Sequence, residues 1–271
     1  FSGTWKYIVQ APTLLIEDPQ KSASITPPYF TGYIHKEDGV VWAHYSIGEE
    51  VEFSIGKTVI EVDSGTRMVF SEWKGYGDGF DLKEPSGKVK FKDAEFVKEV
   101  ALWEKEYLLQ VKSEHGEISG GGWYKEDTKA VIEISKTELT PAEGVKHIFI
   151  GWRGDISGEN PKIEVLMDSP KNVEAVWKTQ YYVKVVSEYG SVSGEGWYDA
   201  GSIATITVSP SEVGFPIKNV FKHWVVNGQP MQGPRISVKV DNPVLAVAVW
   251  EKDYTMLIVI GATLLLSLIH I

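Results

Sequence analysis

Runs of alternating apolar and polar residues follow one another along most of the chain. Residues 181–190, 202–209, 220–226, 235–240 and 244–250 are all of this kind, and β-branched and aromatic residues are frequent in them. A period of two is typical of a strand with one buried face, and each run has an ordinary strand length. No comparable stretch before residue 254 has a clear 3.6-residue period. The pattern therefore predicts a mainly β chain, built mostly of antiparallel sheet.

The β pattern recurs as an internal repeat. Residues 107–135 and residues 181–209 align without a gap, and each contains the sequence Gly-x-Gly-Trp-Tyr, at Trp123 and at Trp197. Read alone, these glycines suggest a ligand loop. Because they recur at equivalent places, we interpret them as the turn between the first two strands of a module, where glycine permits backbone angles closed to other residues.

Three tryptophan landmarks define the repeat in each copy. A weaker upstream copy supplies the third set, and successive equivalents lie about 75 residues apart. The first copy has lost the glycines before its first tryptophan, so it departs from the pattern there. The landmarks are Trp42, Trp123 and Trp197, then Trp73, Trp152 and Trp224, then Trp103, Trp177 and Trp250.

These landmarks predict three tandem antiparallel β modules of about 75 residues, followed by one C-terminal transmembrane helix. Only three polar residues separate each closing tryptophan from the aromatic residue of the next module, so we expect nearly fixed relations between modules. The predicted parts are an N-terminal extended segment 1–28, a divergent repeat 29–106, repeats 107–180 and 181–253, and a transmembrane helix 254–271.

The C-terminal segment 254–271 has no charged residue after Asp253 and is apolar along most of its length. This composition favours a membrane span, with Tyr254 at the interface. Its small residues Gly261, Ala262 and Ser267 would allow another helix to pack closely, although they lack small-xxx-small spacing. A buried core helix is the alternative.

The N-terminal segment 1–28 has no repeat of its own, yet it contains two short apolar runs. Its strands either pack against the first repeat or pair with a partner at an exposed edge. If partner recognition lies in one place, we expect it in this segment. The candidate partner-binding residues are Trp5, Tyr7, Ile8, Leu14 and Leu15.

Composition removes several classes of site. The chain has no Cys, and its formal net charge of -10 with interleaved Lys and Glu disfavours nucleic acid. The six His show no metal-ligand spacing, and the carboxylate clusters, such as Glu49 with Glu50 and Glu52 or Asp155 with Glu159, lack the pattern of a calcium loop. No catalytic constellation or cofactor motif occurs, so we predict a protein that is not an enzyme and binds no cofactor or metal.

The nine landmark tryptophans have two possible roles. Exposed aromatic rings can form carbohydrate-stacking platforms, but residues needed in every module are more simply core or inter-repeat contacts. Core packing is therefore the preferred interpretation. The many Lys and Glu, without Cys and with four Met, also suit a heat-stable protein.

The combination of Gly-x-Gly-Trp-Tyr, Phe-x-x-Trp and Ala-Val-Trp resembles the divergent internalin-type B repeats of bacterial and archaeal surface proteins. The resemblance covers about residues 29–253, with the second and third copies matching well and the first departing at residues 40–50. It implies a small β-rich module used in series as a spacer or adhesive element at cell surfaces. It supplies no catalytic residue.

Two function classes follow. The first is a membrane-anchored structural or adhesive protein of the cell surface, a rigid β stalk that holds a surface layer, polymer or filament. The second is a non-catalytic subunit of a larger membrane complex. The chain begins at Phe1, and an upstream signal-peptidase site would agree with a single-pass protein whose N-terminal part is extracellular. The expected partners are the lipid bilayer and other surface or membrane proteins.

Overall fold

A computed structural model describes residues 11–28 and 32–269, with side chains described as far as residue 263. The described chain is mainly β with one C-terminal helix, which confirms the predicted fold class at this level. The first nine strands, of which the last contains Trp103, are β1 Thr13–Glu17, β2 Ala23–Ile25, β3 His35–Glu37, β4 Val40–His44, β5 Glu50–Ile55, β6 Val59–Asp63, β7 Thr66–Gly77, β8 Ser86–Lys90 and β9 Phe96–Ser113.

The remaining elements repeat this series with small changes and end in a helix. They are β10 Ile118–Ser119, β11 Gly122–Lys125, β12 Lys129–Ile134, β13 Glu138–Ala142, β14 Val145–Gly154, β15 Lys162–Leu166, β16 Lys171–Val186, β17 Ser191–Ser193, β18 Gly196–Asp199, β19 Ile203–Ser209, β20 Glu212–Val213, β21 Lys218–Val226, β22 Gln229–Gln232, β23 Arg235–Lys239, β24 Val244–Asp253 and α1 Thr255–Ile269.

The chain divides into two compact units, and the division passes through the second repeat. Unit 1 contains the residues up to Val111 together with Gly120–Ile132 and Glu164–Val173. Unit 2 contains Lys112–Ser119, Glu133–Ile163 and the residues from Glu174 onward. The three-repeat division by sequence stays a prediction about the modules.

Unit 1 has two sheets around one core. Strand β9 lies between β1, with which it pairs in parallel, and β7, with which it pairs antiparallel; β4 and β3 extend the sheet beyond β1. Strands β2, β5 and β8 form a separate antiparallel sheet. Residues from both sheets, including Leu14, Phe53 and Trp73, form one cluster of buried apolar side chains.

Unit 2 uses the same arrangement. Strand β24 pairs in parallel with β16 and antiparallel with β21, while β17, β19 and β23 form the smaller sheet. The core again takes side chains from both sheets, among them Val183, Ile206 and Trp224. The parallel pairing of a first and a last strand is therefore common to both units, while the other pairs named above are antiparallel, in agreement with the predicted mostly antiparallel sheet.

One strand of each repeat shows the predicted alternation of buried and outward-facing side chains. Strands β5, β12 and β19 each contribute three buried side chains at alternate positions, and their intervening residues face outward. A strand places successive side chains on opposite faces, so a period of two gives one buried face. The buried residues are Val51, Phe53 and Ile55 in β5, Ala130, Ile132 and Ile134 in β12, and Ala204, Ile206 and Val208 in β19.

The N-terminal segment supplies the first strand of repeat 1. Strand β1 pairs with β4 through Leu15 opposite Trp42, as β9 pairs with β11 through Leu108 opposite Trp123 and β16 with β18 through Tyr182 opposite Trp197. Of the two predicted fates of this segment, its described part therefore packs within its own chain.

The three-residue linkers of the sequence lie within strands. Residues 104–106 belong to β9, residues 178–180 to β16 and residues 251–253 to β24. At the first two of these linkers, the closing tryptophan and the next aromatic residue occupy one continuous strand. This agrees with the prediction that the linkers are not flexible tethers.

The C-terminal helix differs from the predicted transmembrane span over residues 254–271. Helix α1 has 15 residues, Thr255–Ile269, which at about 1.5 Å per residue is about 22 Å, against a hydrocarbon core of about 30 Å. Within the described part of the chain, no helix is long and apolar enough to cross a membrane.

The alternation in β19 generates a test with a matched control. Ile206 is 0% exposed and Ile203, on the same strand, is 68% exposed. We expect Ile206→Ala to lower the free energy of unfolding by about 2–5 kcal/mol, because it leaves a core cavity, and Ile203→Ala to change it by less than about 0.5 kcal/mol. Denaturant unfolding measures both, and equal effects would contradict the assigned faces.

Candidate functional site

The three classes of tryptophan have three different environments. The middle residues Trp73, Trp152 and Trp224 are buried, which confirms core packing for them. The closing residues Trp103, Trp177 and Trp250 are half-buried at the edge of the core. The first residues Trp42 and Trp123 are half-buried and Trp197 is exposed, so core packing does not describe them.

Each closing tryptophan holds the turn that follows the first strand of its repeat. The indole N–H of Trp250 donates to Ser187 Oγ at 3.0 Å and that of Trp177 donates to Ser113 Oγ at 2.8 Å. In the first repeat, the N–H of Trp103 donates to Asp18 Oδ1 at 2.8 Å. A half-buried indole N–H needs such a partner, and the bond ties the last strand of a repeat to its first turn.

The carboxylate of Asp18 organises the turn where serine stands in the other copies. Its oxygens also accept from the backbone N–H groups of Gln20, Ser22 and Ala23, at 3.0, 2.6 and 2.8 Å. Both carboxyl oxygens therefore have hydrogen-bond partners although Asp18 is almost fully buried.

The first tryptophans of repeats 2 and 3 receive a cation from the preceding repeat. The guanidinium of Arg67 lies 4.4 Å from the ring centroid of Trp123, and the ammonium of Lys146 lies 4.6 Å from that of Trp197. Arg67 and Lys146 both stand three residues before the phenylalanine of the Phe-x-x-Trp landmark. Comparing the repeats at this position would have revealed them, because the third copy has Lys218 there.

A hairpin tip adds a second contact at the same places. We call the turn between β6 and β7, at Ser64 and Gly65, and the turn between β13 and β14, at Glu143 and Gly144, the hairpin tips of repeats 1 and 2. The carbonyl of Gly65 accepts from the N–H of Leu108, and that of Gly144 accepts from the N–H of Tyr182, both at 2.9 Å.

The tips also lie against proline in the next repeat. A Cβ added to Gly65 would lie 2.7 Å from Pro170 Cβ, and one added to Gly144, where φ is +72°, would lie 3.0 Å from Pro243 Cβ. Glycine permits this close approach. We call the combined cation, tip and proline contacts the repeat junction; one junction lies in unit 1 and the other in unit 2.

Repeat 1 differs from repeats 2 and 3 in the contact made by its first tryptophan. His35, on the additional strand β3, stacks on Trp42 with ring centroids 3.7 Å apart and an interplanar angle of 5°. The ring that stacks on the first tryptophan of repeat 1 therefore comes from the same repeat, whereas Trp123 and Trp197 each have a cation from the preceding repeat. This difference occurs in the copy that departs from the glycine pattern.

The predicted partner-binding residues differ in burial, and some of them lie outside the described part of the chain. Leu14 is 0% exposed in the core, so its side chain does not face a partner, whereas Leu15 is half-buried opposite Trp42. Trp5, Tyr7 and Ile8 lie outside the described residues, and their role stays a prediction.

The predicted helix-packing residues all lie on α1. Gly261 is half-buried and Ala262 is exposed, while Ser267 lies beyond the described side chains. Met256, Leu257, Ile258 and Val259 are all exposed. Four consecutive residues cover a full helical turn, so α1 presents apolar side chains in every direction here.

Other candidate chemistry is sparse. Among the described residues, no group of three or more His, Asp or Glu side chains is placed to hold a metal ion. His115 and His147 stack at 3.7 Å beside an open groove, and His147 Nδ1 lies 2.9 Å from Thr179 Oγ1. Burial and the neighbouring His115 lower the pKa of His147, so the ring resists protonation.

Glu99 is a second buried carboxyl of repeat 1, besides Asp18. It is 0% exposed; its Oε1 accepts from the N–H of Phe80 at 2.9 Å, and its Oε2 has no hydrogen-bond partner among the described residues. Burial raises the pKa of Glu99 to about 7, and the charge of Asp81 acts in the same direction. The apolar surroundings therefore favour the neutral acid.

Comparison of this chain with models of protein families, with curated proteins and with solved structures gives no match. The family resemblance and the function both stay predictions.

Glu99 predicts a specific pH dependence. Between pH 4.5 and pH 7 the folded state binds more protons at Glu99 than the unfolded state, so its contribution to stability falls as pH rises. As the pH rises from 5 to 8, we expect the free energy of unfolding of Glu99→Gln to increase by up to about 3 kcal/mol relative to that of wild type. Denaturant unfolding measures this difference. The exposed Glu84→Gln variant is the control, and equal shifts in both would contradict burial as the cause.

The junction between repeats 2 and 3 predicts energetic coupling. In a double-mutant cycle, Lys146→Ala and Trp197→Ala should couple by about 0.5–1 kcal/mol in the free energy of unfolding, because the ammonium lies over the ring. The matched cycle uses Lys218→Ala with Trp197→Ala, since Lys218 pairs with Glu212 instead. A coupling no larger in the first cycle than in the second would refute the contact.

Proposed function

We propose that this protein is a structural or adhesive spacer, in which serial β repeats hold a surface assembly away from a membrane to which α1 attaches. The observation that carries the proposal is the repeat junction, which occurs twice with the same parts. A cation lies over the first tryptophan of the next repeat, and a tip carbonyl accepts from its first strand.

The continuous strands support the mechanical part of this proposal. Strand β9 closes repeat 1 by pairing with β1 and β7, then opens repeat 2 by pairing with β11. A chain segment held by backbone hydrogen bonds on both sides of a repeat boundary has little freedom to bend there. Such a module suits a spacer, whose work is to fix a separation.

The helix supports attachment to a membrane. A helix that is apolar all round needs an apolar environment on every side, and the exposed residues 256–259 find none among the described residues. The helix begins where Asp253 accepts from the N–H of Thr255 at 2.8 Å, so the charge stays at the boundary between sheet and helix. Entry of α1 into lipid would satisfy this demand.

Co-flotation with vesicles tests the attachment. We expect the full chain to float with phosphatidylcholine vesicles, and the doubly substituted variant Leu257→Lys with Ile258→Lys to remain in the dense fraction, because charges oppose burial in hydrocarbon. Ile203→Lys, at an equally exposed isoleucine of β19, is the matched control and should float. A wild-type chain that stays in the dense fraction would overturn the attachment.

Purification from its native membrane in mild detergent tests the spacer against an accessory subunit. Isolation without fixed partners supports the spacer. Comigration with stoichiometric partners that carry redox or transport cofactors would refute it.

A further inference from the structure

The hairpin tip of repeat 3 is built differently from the other two. In all three copies the same backbone bond closes the hairpin, from the N–H of Phe70 to Thr58, of Phe149 to Thr137 and of Phe221 to Ser211, each at 2.8 Å. We call residues 214–217, between β20 and β21, the third tip. Aligned on these phenylalanines, Phe215 stands where the other copies have Ser64 and Glu143.

The third tip is apolar, and no residue in the described part of the chain covers Phe215. Phe215 is 73% exposed, Ile217 is also exposed, and Pro216 replaces the glycine of the other tips. Within the described residues, the third tip has no following repeat to contact. Tyr254 and Thr255 stand at the positions where Tyr107 and Leu108, or Tyr181 and Tyr182, begin the next repeat in the other copies. The N–H of Thr255 bonds to Asp253 and the chain becomes helical.

The third tip and the start of α1 lie at the same end of unit 2. Lys218, the first residue of β21, is the register partner of Asp253, the last residue of β24. Residues 214–217 therefore extend beyond the sheet at the end where Tyr254 and α1 leave it. Phe215, Ile217 and exposed Tyr254 are aromatic or apolar residues of the kind found at membrane interfaces.

We propose that the third tip enters the interfacial region of the bilayer beside α1, with Phe215 as its deepest side chain. The inference rests on the proposed attachment of α1 to a membrane. Lipid is the occupant favoured by the helix, since a folded partner would cover one face and residues 256–259 expose apolar side chains around a full turn of α1. Two points of contact would fix the tilt of unit 2 at the membrane, which one helix cannot do.

The absence of Cys allows a site-specific test on the full chain. Phe215→Cys, Glu143→Cys and Ile258→Cys each carry one environment-sensitive fluorophore, in phosphatidylcholine vesicles. We expect the probe at 215 to show several-fold weaker quenching by aqueous iodide than the probe at 143, and stronger quenching by lipid-borne nitroxide. The probe at 143 is the matched control because it occupies the same position in the second tip.

The probe on α1 separates the two proposals. If the probe at 258 meets lipid and the probe at 215 behaves like the probe at 143, the tip inference is overturned while attachment stands. If the probe at 258 is open to iodide, attachment itself fails. Protection of the probe at 215 from iodide without nitroxide quenching indicates a protein contact and also overturns the inference.

Unlabelled variants remove the contribution of the fluorophore. We expect Phe215→Ser to weaken partitioning into vesicles several-fold, and Phe96→Ser, at an exposed phenylalanine of β9, to leave it unchanged. Equal partitioning of the two variants would overturn the role of Phe215.

Discussion

The parallel pairing between the first and last strands of a repeat is the constraint on which the rest of this structure depends. Strand β1 pairs in this way with β9, and β16 with β24. Parallel strands require a long connection, which here consists of the whole module between them. Because the last strand leaves the module in the same direction as the first strand enters it, it can continue directly as the first strand of the next repeat.

The half-buried closing tryptophans secure this pairing at its end. Trp103, Trp177 and Trp250 donate their indole N–H groups to the turn after the first strand, and they pack on the phenylalanine of the middle landmark. The fully buried middle tryptophans fill the core instead. One residue type therefore performs two tasks, a distinction that depends on position along the strand rather than on residue identity.

The three repeats differ at the first tryptophan and at the hairpin tip, which are the places that contact a neighbouring repeat at the junctions. Repeat 1 covers Trp42 with its own His35, whereas Trp123 and Trp197 have a cation from the preceding repeat. At the other end, the third tip has Phe215 where a docked tip has a serine or a glutamate. These two departures lie in the first and the last copy of the repeat, and each is found where the described contacts differ from those at the two repeat junctions.

The sequence alone determined the β class and the outward and inward faces of strands such as β19, and it predicted three copies, because period and repetition are local properties that need no knowledge of partners. It predicted the middle tryptophans as core but could not separate them from the exposed Trp197, since exposure depends on what the neighbouring repeat supplies. Only the tertiary structure showed that β1 completes repeat 1, that Leu14 is core, and that Glu99 is a buried carboxyl. Each of these follows from contacts between residues far apart in the chain, such as Trp103 with Asp18, and packing rather than local pattern decides them.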